Sequence, residues 1–164
     1  MGTALAPRLV FRYNTRLSLL RLWRGEMHHA TQLVEVLDTL LRAIQRRQAR
    51  QLLLNIQQLP LLDQAMQEWL QTSWLPRLRR SGIHRLALLL PDDIYNRMVI
   101  EGLLWASTHQ VLPYEVQYFS ELAAALDWVS DAEMPTTETD WLDWWHLPAL
   151  LRLRRKKRRC NCRR

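Results

Sequence analysis

Hydrophobic and polar positions change period several times along the chain, and each change marks an element. Leu9–Tyr13 and Leu17–Trp23 are short apolar stretches separated by Asn14, Thr15 and Arg16. Asparagine in so short a link favours a hairpin, and both stretches suit a pleated surface. Gly25 ends the second stretch. From His28 the spacing becomes helical: Leu33, Val34, Leu37, Leu40, Leu41 and Ile44 share one side, with Glu35, Asp38 and Arg42 on the other. Gln51–Ile56 is a continuous apolar run of the buried-strand type. A second helix is expected from Asp63, a suitable N-cap, through Met66, Trp69, Leu70 and Ser73. Pro76 must kink or restart it, because proline has no N–H to offer the preceding turn. Gly82 closes it after the basic turn Arg77, Arg79, Arg80.

Ile83–Leu90 reads as the fourth strand. Pro91-Asp92-Asp93 then opens a third helix with Ile94, Met98, Gly102 and Trp105 along one face. Pro113 leads into a fifth strand, Tyr114–Phe119. Ser120 is placed to cap a last helix that turns Leu122, Leu126 and Val129 inward. The order is ββαβαβαβα. Strands alternating with helices of this length predict an α/β fold, a mixed and mostly parallel sheet with right-handed crossovers. The hairpin supplies an antiparallel neighbour, and the domain is expected over residues 1–130.

This order resembles the STAS fold, and in detail the SpoIIAA-like branch related to CRAL-TRIO lipid-binding domains. The likeness is carried by Leu22-Trp23-Arg24-Gly25 closing the hairpin and by Trp69-Leu70 with Trp74-Leu75-Pro76. It continues in Gly82-Ile83 leading into Leu86-Ala87-Leu88, in Tyr118-Phe119, and in Ala124, Ala125 and Trp128-Val129. It spans about residues 8–130 and rests on packing signatures, which speak to fold more than to function. The resemblance implies a phosphorylatable Ser or Thr at the start of the helix after the third strand, where added negative charge is stabilised. Here Leu54–Asp63 holds neither residue, and Thr72 and Ser73 fall well inside the helix. That switch does not carry over.

Composition sharpens the picture in two places. The net charge of +7 is unevenly spread: residues 1–130 sum to +3, residues 131–150 to −5 and residues 151–164 to +9. The chain is therefore a near-neutral domain, an acidic Trp-rich segment and a basic tail that is expected to be disordered. Both cysteines, Cys160 and Cys162, lie in that tail, so no disulfide staples the domain and a cytoplasmic setting is expected. No apolar run has the length of a membrane span or signal peptide.

Candidate chemistry is sparse. His28 and His29 are neighbours and diverge on a helix, His84 opens a strand beside Arg85, and His109 ends a helix. Asp92-Asp93 after a proline reads as a cap. Four glycines build no phosphate-cradling loop. Cys160-Asn161-Cys162 offers two of the four ligands a structural zinc needs, with His146 as a third candidate among repelling arginines. No cofactor, metal or enzymatic activity is expected. The tryptophans Trp23, Trp69, Trp74, Trp105 and Trp128 either fill the core or line a pocket for an apolar, lipid-like molecule. Residues 131–149 interleave acids with Trp141, Trp144 and Trp145, and either fold back onto the domain or order on a partner. Arg152, Arg154, Arg155, Lys156, Lys157, Arg158 and Arg159 either neutralise the chain's own acids or meet an anionic membrane surface or nucleic acid. The leading expectation is a binding or regulatory module acting through a protein partner or an apolar small molecule. The alternative is membrane or nucleic-acid attachment through the tail alone.

Overall fold

The structure, a computed structural model, describes residues 10–24, 30–107, 111–131 and 141–144. Strands β1 (Val10–Asn14) and β2 (Leu19–Arg24) form the hairpin. Asn14 Oδ1 accepts the Leu17 N–H at 3.0 Å, and Ser18 takes the left-handed φ of 49° that the reversal needs. Helix α1 (Ala30–Arg47), strand β3 (Gln51–Asn55) and a helical pair, α2 (Gln64–Trp69) and α3 (Leu75–Arg79), follow. Then come β4 (Arg85–Leu89), α4 (Ile94–Ser107), β5 (Glu115–Phe119), α5 (Leu122–Val129) and β6 (Trp141–Trp144).

The six strands lie in the order β5-β4-β3-β2-β1-β6. β2 through β5 are parallel, and β1 is antiparallel to both neighbours. The α/β class and the mostly parallel mixed sheet are as the periodicity predicts. The sixth strand is the departure. Trp141–Trp144, beyond the domain expected over residues 1–130, pairs with β1 from Asn14 to Phe11. β1 would otherwise expose an edge of unpaired N–H and C=O groups, and an aromatic-rich segment suits a strand.

One sheet face is covered by α1, α2, α3 and α4. Leu20, Leu22, Leu52, Leu54, Leu86 and Leu88 meet Leu33, Leu37, Leu40 and Ile44 of α1, together with Leu70, Trp74, Leu75, Leu103 and Leu104. The other face carries a smaller cluster, Leu19, Leu53, Ala87 and Leu89 under Ala125 and Val129 of α5. β3 and β4 are thus buried on both sides, which is why they read as uninterrupted apolar runs.

Asp63 caps α2 as expected, its Oδ1 accepting the Met66 N–H at 2.8 Å. At Pro76 the helical run is continuous in sequence, and a new α-helical segment begins with the proline in its first turn. Leu70–Trp74 widens into a π turn in which the Leu75 N–H reaches the Leu70 carbonyl, and α3 continues with Pro76 in its first turn. The wider turn accommodates a residue that lacks a donor and whose ring crowds the carbonyl four positions back. Gly82 then takes φ +84° after the helix, a conformation that costs a glycine little. At α5 the N-cap position is Glu121 rather than Ser120, and no side chain caps it. Among the described residues no helix is long and apolar enough to cross a membrane.

Candidate functional site

Four places carry candidate chemistry: the tryptophans, the titratable groups, a polar row on the sheet and the outer surface of α4. The tryptophans do not gather round one cavity. The larger core holds a cavity of about 70 Å³ between the ends of β3 and β4, α1, the π turn and α4. Its lining is apolar throughout, including Leu37, Leu54, Ile56, Leu88 and Leu103, and Trp74 is the tryptophan among it. The Trp74 indole is fixed by its Nε1–H, which donates to the Leu37 carbonyl at 3.1 Å. Trp69 is half-buried at the rim of the same core. Trp128 lies on the opposite face, 5.8 Å from the Phe119 ring and 5.5 Å from the Arg85 guanidinium. Trp105 is 73% exposed. Trp23 stands on β2, and its side chain lies outside the described residues. A void of this size takes a few carbon atoms, whereas sites for drug-sized ligands run to roughly 300–1,000 Å³.

The titratable groups serve the fold. Asp93 Oδ1 accepts the Asn96 N–H at 2.8 Å, a cap on α4. His84 is exposed, and its ring Nε2 lies 3.1 Å from Arg50 Nη1, a basic neighbour rather than an orienting acid. Arg85 binds three elements together. It donates to Asp131 Oδ1 at 2.5 Å and to the Trp128 carbonyl at 3.3 Å, and it lies 3.5 Å from Glu115. These contacts, the Asp131 hydrogen bond first, hold its guanidinium still more firmly protonated than usual. Among the described residues no three His, Cys, Asp or Glu side chains converge as a metal site. His28, His29, His109, His146, Cys160, Cys162 and the basic residues from Arg152 to Arg159 lie outside the described residues.

Two features escaped the reading of the sequence. Arg12 and Arg21 are directly opposite across the hairpin, so both stand on the sheet face away from α1, and Arg21 is only 5% exposed. Like charges so placed oppose pairing unless an acid stands near. The register sets Asp143 of β6 opposite Arg12. The alternation of β1 and β2 hid this, since an arginine set between apolar neighbours in each strand reads as part of a solvated face.

The second feature is the outer face of α4. Ile94, Met98 and Trp105 are 72%, 68% and 73% exposed, on the face that the spacing had grouped. The inward face consists instead of Asn96, Val99, Ile100, Leu103 and Leu104. Asn96 is the polar member of that face. Its Oδ1 accepts the Leu62 N–H at 3.1 Å, and its Nδ2 donates to the carbonyls of Pro60 and Leu59 at 3.1 and 3.3 Å. The helix is thereby clamped to the loop before α2, and its apolar stripe is directed outward. Arg97 and Glu101 lie beside the stripe, and Arg97 donates to the Pro91 carbonyl. No protein-family model, curated protein or solved structure matches this chain.

Proposed function

We propose that the chain is a non-enzymatic α/β binding module of STAS-like type whose docking surface is the outer face of α4. The observation that carries this reading is the row Ile94, Met98 and Trp105, three large apolar side chains turned to solvent at helical spacing. Together they offer on the order of 500 Å², as large as the biggest apolar patch on an ordinary monomer, and such patches commonly mark contact sites. Of the two binding modes expected from the sequence, protein contact is favoured over an apolar ligand, because the cavity beside Trp74 is too small for a lipid chain. The STAS-like assignment is supported by an antiparallel hairpin feeding successive parallel β-α units.

Photo-crosslinking tests the docking surface. A photoreactive residue replacing Met98 in the full chain, expressed in its own cells, is expected to give discrete adducts. The same residue replacing the exposed Ala123 on α5 is expected to give none. Absence of adducts at Met98, or equal adducts at both positions, overturns the reading.

A further inference from the structure

The row on α4 is closely matched to its own reverse. Ile94, Met98, Glu101 and Trp105 follow at intervals of four, three and four, with Arg97 four residues before Glu101 on the flank, so they form one seam about 16 Å long. The seam has an aliphatic residue at one end and an aromatic one at the other. Between them lie a cation and an anion one turn apart. When such a seam is turned end for end, Ile94 meets Trp105 and Arg97 meets Glu101, and each contact occurs twice. A parallel copy would instead set Arg97 on Arg97 and Glu101 on Glu101. The charge pattern therefore favours an antiparallel partner with the same sequence.

We infer that the partner docking on α4 is a second copy of this chain, related by a two-fold axis that crosses the helix between Met98 and Glu101. The inference rests on the docking reading above and names its partner. An isologous contact of this kind needs no complementary surface beyond the one already present.

The surroundings leave room for the second copy. Among the described residues β5 has a strand on one side only, so the sheet edge beside α4 is open. Glu101 belongs to the flank that overlooks this edge. The Tyr118 phenol of β5 is pushed up first by burial and then by the Glu101 carboxylate. Burying the apolar row from both chains removes about 1,000 Å² in all, at the lower limit for a specific interface. The dimer is accordingly expected to dissociate in the range of about 1–100 μM, since contacts of this size lie at the weak end.

Sedimentation equilibrium on the full-length chain up to about 200 μM is the direct test. The wild type is expected to dimerise. Arg97→Glu and Glu101→Arg, each of which sets like charges together twice, are expected to weaken the dimer on the order of tenfold or more. The double variant Arg97→Glu/Glu101→Arg restores both pairs and is expected to return within about threefold of wild type. Circular dichroism checks that each variant folds. Because Arg97 also holds the Pro91 carbonyl, the Glu101→Arg arm carries the test if Arg97→Glu fails to fold. A wild type that stays monomeric at the highest concentration overturns the inference, as does a double variant no tighter than the singles. The Met98 adduct separates the two failures. An adduct of another mass leaves the docking surface standing without the dimer, and no adduct at all removes both.

Discussion

Asn96 gives the sharpest test of how α4 is held. The residue is 2% exposed, and Leu62, whose N–H it accepts, is 1% exposed. Truncation in Asn96→Ala leaves that donor buried without a partner, at a cost of about 1–3 kcal/mol. The carbonyls of Leu59 and Pro60 lie on a half-buried loop and recover water, so losing Nδ2 adds only about 1 kcal/mol. The expected total is about 2–4 kcal/mol.

Asn96→Asp isolates one half of the clamp. One carboxyl oxygen can still accept from Leu62, but the other faces two carbonyl oxygens at the 3.1 and 3.3 Å positions that Nδ2 occupied. Only a protonated carboxyl satisfies that geometry, so the folded chain raises the pKa of the new acid. The sign follows: the variant is stable below the unfolded value near 4, and it loses stability as pH rises from there to the raised folded value, about 1.4 kcal/mol for each unit of difference. Urea unfolding of wild type and variant from about pH 3.5 to 8 reads this directly. A stability gap between the two that stays flat across that range refutes the clamp, and so does an Asn96→Ala cost below about 1 kcal/mol.

Two further outcomes come from other parts of the core. Among the described residues the buried Tyr114 hydroxyl has no hydrogen-bond partner, and burial pushes its phenol up. Tyr114→Phe should therefore be neutral or stabilising by up to about 1 kcal/mol near neutral pH. The wild type, unlike the variant, should lose stability as pH rises above about 10, where the unfolded phenol ionises and the folded one resists; equal alkaline sensitivity in urea melts would rule this out. Arg85→Lys keeps the charge but loses the fork to Asp131 and the Trp128 carbonyl and the stacking on the indole, with an expected cost of about 1 kcal/mol by denaturant titration.

Much of the fold was legible because the apolar period is strong where burial is strong. α1 shows this: Leu33, Leu37, Leu40, Leu41 and Ile44 are all buried, and the acids expected on the other side stay near solvent. β3 and β4 announced themselves as continuous apolar runs because both of their faces are covered. The orientation of α4 was not legible. Its two faces are nearly equally apolar, so periodicity groups Ile94, Met98 and Trp105 without saying which way they turn. The buried Asn96, a polar residue amid the inward row, was the overlooked signal. The π turn was hidden for another reason. Pro76 forbids a regular helix but leaves several remedies, and packing of Leu70, Trp74 and Leu75 selects among them. β6 escaped because a four-residue strand carries almost no period, and its pairing is decided by the open edge of β1.

That last ladder also sets an order of events. β1 is made first and β6 last, with about 130 residues between partners, so their pairing is the most distant in the sheet and carries the largest loop-closure cost. During synthesis the rest of the sheet can assemble while β1 still lacks its outer neighbour. A nascent chain is thus left for a time with one adhesive border along β1. Any partner that offers an extended segment in that interval competes with Trp141–Trp144 for the same backbone groups.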